Sequence, residues 1–171
     1  ILMSTHATQN AFLAIGMTFV IITGGIDLSV GSIVGLCGMV AGGLILNGID
    51  LQIGYTMYFN VVEVCLITLV VGILIGAVNG LLITKLNVAP FIATLGTLYV
   101  ARGFALLSSD GQPFPILVGK PELATTGFGF LGSGRIIGLP VSIWILIVVA
   151  LAAAYVAKYV PIGRQIFAVG G

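Results

Sequence analysis

VVEVCLITLVVGILIGAVNGLLITK, from Val61 to Lys85, carries an acid in its first turn, a base at its tail and no charge between them. A hydrocarbon core about 30 Å thick is crossed by about 20 mostly apolar residues in a helix. Val61–Thr84 meets that requirement. Lipid offers no partner to a free N–H or C=O, so such a run must close its hydrogen bonds on itself, as a helix does. Four further segments come close to the same length: about Thr8–Thr23, Val30–Leu46, Ala89–Leu107 and Val141–Tyr159, the last followed by the helix-stopping Pro161. The predicted architecture is an all-α, polytopic transmembrane helix bundle forming one domain over residues 1–171. The chain opens on Ile1 and stops at Gly170-Gly171, so it is expected to be incomplete at both ends.

Composition supports lipid as the solvent. Hydrophobic residues make up 59% of the chain and charged residues 6%, against roughly 25% charged in soluble domains. So few charges cannot clothe a water-facing surface. A net charge of +1 without any basic run sets nucleic acid aside. Cys37 and Cys65 sit in apolar runs with no Cys or His at metal-ligand spacing and read as small buried hydrophobes.

The stretch Ser108–Pro140, with Asp110, Lys120, Glu122 and Arg135, reads as a loop outside the hydrocarbon, with a short surface helix near Pro121–Thr125. Lys85 lies between the third and fourth segments, and Lys158 and Arg164 mark the end of the fifth. If each segment crosses once, these cations share a side, and short cationic loops face the cytoplasm. The 108–140 loop and the Asn47–Asn60 loop, with Asp50 and no cation, are then expected outside.

Asp27 and Arg102 are the two charges whose placement is anomalous for a membrane bundle. Asp27 lies in Gly24-Gly25-Ile26-Asp27-Leu28-Ser29, between two segments each slightly short for a crossing. A carboxylate at mid-bilayer costs about 2.5–3.5 kcal/mol on insertion scales and needs partners. Gly24 and Gly25 can break a helix, and Asp27 or Ser29 can cap the next. The result is either a discontinuous helix at membrane depth, beside a cavity, or a tight surface turn. Arg102, in the fourth segment, either snorkels to the outer interface or faces a pore or a second subunit. Thr18, Asn79, Thr94 and Thr97 are polar positions suited to joining helices, and some are placed to meet a polar solute. Gly72, Gly76 and Gly80 in the third segment, with Gly31-Gly35 and Gly38-Gly42 in the second, offer flat faces for close helix packing. The chain has no Gly-x-x-x-x-Gly-Lys-Ser/Thr, His-Glu-x-x-His, Gly-x-Ser-x-Gly or Cys-x-x-Cys motif, and its one histidine is His6. No metal site or catalytic residue is predicted, and regularly spaced arginines of a voltage sensor are missing.

AIGMTFVIITGGIDLSVGSIVGL (Ala14–Leu36) resembles the signature of the ribose-type, monosaccharide permeases of bacterial ATP-binding cassette (ABC) importers, within the branched-chain amino acid and sugar permease superfamily. Three further blocks resemble the same family in the same order: GAVNGLLITKLNVAPFIATLGTLYVARG (Gly76–Gly103), SSDGQPFP (Ser108–Pro115) and PIGRQIFAVGG (Pro161–Gly171).

The resemblance implies a permease subunit of about ten helices, of which this chain holds those after the first and before the seventh. It implies a second permease subunit, identical or not, a cytoplasmic ATPase that binds ATP and Mg, and a periplasmic or lipid-anchored substrate-binding protein. The chain itself is expected to bind no cofactor. The implied cargo is a monosaccharide, small polyol or signalling sugar, and the implied location is the bacterial inner membrane. Gly163, Arg164 and Gly170 then lead towards the loop that meets the ATPase. Gly24, Gly25, Asp27, Ser29, Asn79 and Thr94 are expected beside the translocation path, and Arg102 near the outer mouth or a partner. An ion-coupled secondary carrier and a non-transporting scaffold or receptor component are the alternatives.

Overall fold

In a computed structural model the described residues are 2–51, 54–109, 111–112, 114, 117–123 and 125–170. Asp110, Pro113, Pro115, Ala124 and Gly171, parts of stretches discussed above, lie outside them. The helices are α1 (Leu2–Ile22), α2 (Val30–Leu46), α3 (Val61–Thr84), α4 (Pro90–Leu107), α5 (Phe128–Ser133), α6 (Val141–Tyr159) and α7 (Pro161–Gly170). Two short hairpins, β1–β2 (Ile49–Asp50, Thr56–Met57) and β3–β4 (Arg135–Ile136, Leu139–Pro140), complete the elements with a 3-10 turn at Pro121–Leu123. The fold is all-α in substance. Helices α3, α4 and α6 are long and apolar enough to cross a membrane, and α2 and the His6–Ile22 part of α1 are shorter apolar helices.

The exposed side chains say what surrounds the helices. Leu66, Leu69, Ile73, Leu74 and Leu81 of α3 are all exposed, as are Val148 and Leu151 of α6. Each such side chain left in water forgoes about 1.5–3 kcal/mol of burial. A helix apolar on every side is at rest in lipid.

The chain forms two compact units, Leu28–Gly129 and the pairing of Ile1–Asp27 with Phe130–Gly171. In the first, α2 is the central helix and packs on both α3 and α4. Ala41, Leu44 and Ile45 near the end of α2 form a core with Val64 at the start of α3. The start of α2 instead meets Asn79, late in α3, and the first half of α4. Helix α3 therefore runs antiparallel to α2, and α4 runs alongside α2 in the same sense. Lys85 and Ser29 share one end of this unit, and Asp50 stands at the other. Phe114 lays its ring over Gly42, where a Cβ would collide with it, so part of the 108–120 segment folds onto α2.

In the second unit α1 packs on α6 and α7. The β3–β4 hairpin turns at Ile137 and Gly138, with φ of 54° and 79°, the paired positive values of a type I′ turn that matches strand twist. The Trp144 indole N–H donates to the Ile136 carbonyl at 3.1 Å and fastens the hairpin to α6. Thus the 108–140 stretch, expected as loop, also holds this hairpin and α5. Pro161 ends α6 and also heads α7, since a proline suits a first helical position.

Candidate functional site

Helix α1 ends by a specific device. The Gly25 N–H donates to the Val20 carbonyl at 3.0 Å and the Gly24 N–H to that of Ile21 at 2.9 Å. Gly24 takes a φ of +74°. This pair of bonds around a left-handed glycine is a Schellman ending, and only glycine adopts that conformation without strain. The backbone stays non-helical from Gly25 to Ser29, and α2 begins at Val30. The interruption falls on the Gly24–Ser29 stretch that the sequence singles out.

Ser29 occupies the N-cap position, but its side chain makes no cap hydrogen bond, so the expected capping role is corrected. Its hydroxyl is fully buried and accepts a hydrogen bond from the Asn79 side-chain amide at 3.0 Å. The Asn79 carbonyl oxygen in turn accepts from the Thr97 hydroxyl. One residue earlier, the Leu28 N–H donates to the Thr94 hydroxyl oxygen at 3.2 Å, and Thr94 donates to the Pro90 carbonyl at 2.8 Å. Ser29, Asn79 and Thr94 are all buried. Three helices thus meet at one buried polar cluster, which holds the two residues that follow Asp27.

A neutral hydrogen bond contributes about 0.5–1.5 kcal/mol net, whereas stranding a buried polar group costs about 1–3 kcal/mol. The cluster stabilises the unit modestly when complete and penalises any single loss. Asp27 itself is half-buried.

Arg102 is exposed in the second half of α4 and borders two recesses, of about 360 and 250 Å³, between α2 and α4. Among the described residues no carboxylate pairs with it. On the other flank, a groove of about 590 Å³ between α3 and α4 is lined by apolar side chains apart from Thr97. Of the glycines expected to pack helices, Gly72 has the Cys37 sulfur 3.7 Å from where a Cβ would stand. Gly31, Gly35, Gly76 and Gly80 have nothing within 4 Å of that point.

Gly163 is buried in the first turn of α7, where a Cβ would strike the carbonyl oxygens of Val156 and Ala157. Gly170 abuts the Ile22 carbonyl in the same way, and Arg164 is exposed. Among the described residues no three His, Cys, Asp or Glu side chains group to hold a metal ion.

Sequence reasoning foresaw neither the partnership of Ser29 with Asn79 and Thr97 nor the capping box at the head of α3. There the Asn60 side chain accepts from the Glu63 N–H at 3.0 Å while the Glu63 carboxylate accepts from the Asn60 N–H at 2.8 Å. The signal was present as a capping residue three positions before an acid, ahead of an apolar run.

Three helices long and apolar enough to cross a membrane, with exposed apolar flanks, mark an integral membrane protein. Residues 3–171 match the family model described as the permease component of the branched-chain amino acid transport system, and the chain belongs to that family. It is similar to the ribose import permease protein RbsC of Haemophilus influenzae, with 42% identity over 97% of this chain and 47% of that protein. Its likenesses in Escherichia coli K12 and Bacillus subtilis are both 40% identical, over 97% and 95% of this chain and 48% and 46% of theirs. The chain spans about half the length of these relatives. No solved structure matches it.

Proposed function

We propose that this chain belongs to the membrane-spanning permease subunit of an ABC importer that passes a monosaccharide across the bacterial inner membrane, with ribose the first candidate. The observation that carries the reading is the likeness to ribose import permeases over nearly all of this chain. The chain has no ATP-cradling motif, so hydrolysis of ATP with Mg falls to a separate cytoplasmic ATPase. A second permease subunit and an extracytoplasmic sugar-binding protein complete the assembly. Gly163, Arg164 and Gly170 lie on the side that leads towards the ATPase, and the segment from Gly24 to Ser29 flanks the path of the solute. ATP-driven closure of the ATPase pair tilts the helices between two packings.

The test is uptake of labelled ribose, xylose and galactose by the full-length permease with its partners in right-side-out vesicles loaded with ATP. Ribose accumulation should require ATP and survive an ionophore. Collapse with the ion gradient, or no accumulation of any sugar, overturns the reading. In the same assay Ser29→Ala and Asp27→Asn permeases that insert and assemble normally should lose most of their uptake. Unchanged uptake in both would remove the broken segment from the mechanism.

A further inference from the structure

We infer that the face of α2 bearing Gly31 and Gly35, with Arg102 opposite it on α4, is a binding surface for the hydroxyls of the transported solute. This rests on the reading of the chain as a sugar permease and deepens it by naming where the sugar is held. The two recesses between α2 and α4 share Gly35 and Arg102 in their walls, so they adjoin along a trough. Leu28, held by Thr94, stands at one end, and Gln112 stands at the other.

Three features separate this trough from the apolar groove between α3 and α4. The first is its chemistry: Ser32 and Arg102 line one part, and the other, mainly apolar, includes Ser109 and Gln112. A guanidinium presents a planar fork of donors that suits adjacent hydroxyl oxygens, and serine and glutamine both donate and accept. The second is room. Gly31 and Gly35 carry no side chain, and among the described residues no atom lies within 4 Å of where one would begin. The larger recess, about 360 Å³, falls within the roughly 300–1,000 Å³ of small-molecule sites. The third is charge. An ionisable side chain within a spanning helix faces a bundle interior, a water-filled space or, near a helix end, the interface, and Arg102 borders both recesses. The glycines make space and the guanidinium and hydroxyls offer donors; that the occupant is a sugar follows from the function proposed above.

The experiment uses the full-length permease assembled with its partners in membrane vesicles. Every native cysteine, Cys37 and Cys65 among them, is replaced by alanine in a background that retains ribose uptake. The charged, water-borne reagent 2-sulfonatoethyl methanethiosulfonate should modify Gly35→Cys, and ribose should slow that modification at least fivefold. Gly76→Cys on α3, equally open but outside the trough, should stay unmodified. Arg102→Gln should raise the KM for ribose uptake about tenfold with a smaller change in maximal rate, and Arg102→Lys should recover part of it.

An unreactive Gly35→Cys in a permease that still imports ribose means that lipid or another helix covers the face, and overturns the inference. So does modification that ribose does not slow, or an Arg102→Gln permease that changes only its affinity for the sugar-binding protein. Failure of the parent assembly to import any sugar strikes instead at the function proposed above, because labelling reports on water in the trough without requiring transport.

Discussion

Asn79 shows how a single side chain can join three helices. Its amide donates to Ser29 at the start of α2 and its carbonyl oxygen accepts from Thr97 on α4. Replacing it by leucine removes the amide that donates to the buried Ser29 hydroxyl and the oxygen that accepts from Thr97, with a cost of about 1–3 kcal/mol. Thermal unfolding in detergent should show Asn79→Leu as the more destabilised of the two single variants, with Ser29→Ala milder. The double variant should lose less than the sum, since neighbours in one network couple; strict additivity would show that the bond contributes nothing. Asn79, Thr94 and Thr97 were legible in the sequence as polar positions among apolar ones. Their partners were not, because a cap at Ser29 is a local preference while the bond it makes reaches a residue distant in the chain. Asp27 stood out for the opposite reason: a charge amid apolar residues is visible without any knowledge of its neighbours.

At the scale of elements, lipid makes helix bounds readable. The bounds of α2, α3 and α6 coincide with the apolar segments seen in the sequence, and α4 begins one residue later because Pro90 takes its first position. Helix α1 instead extends back to Leu2, through polar residues that no hydropathy argument favours. The 108–140 stretch was the least legible, since its hairpin depends on turn geometry at Ile137-Gly138 and on one indole hydrogen bond. Helix α7 was hidden because the proline that ends α6 also begins it. Two variants test the element ends. Asn60→Ala removes half of the capping box and should cost about 0.5–2 kcal/mol, read as a lower unfolding temperature, whereas Asn60→Ser should keep most of it. Gly163→Ala forces a Cβ onto two carbonyl oxygens of α6 and should cost about 1–3 kcal/mol by overpacking. A Gly163→Ala protein as stable as its parent would mean that α7 is not seated against α6 as closely as described.

For the molecule as a whole, orientation decides which end of each recess a solute meets first. Within the Leu28–Gly129 unit, Lys85 follows the end of α3, while Asp50 follows the end of α2, which runs the other way. Cations in short loops stay in the cytoplasm, whereas carboxylates contribute little to sidedness. By that rule Lys85 is expected to place its end of the unit inside, together with Ser29 and the polar cluster, and the opposite end, with Asp50 and the start of α3, outside. The α2–α4 trough, running from Leu28 towards Gln112, then opens outward near Gln112, and Arg102 lies between that opening and the break. In cysteine-free permease, Lys85→Cys should react with an impermeant maleimide only in inverted vesicles, and Asp50→Cys only in right-side-out vesicles. Were both to react from the same side, α3 would not span the bilayer. Were the two sides exchanged, the trough would open to the cytoplasm, and Arg102 would meet solute on its way out of the permease.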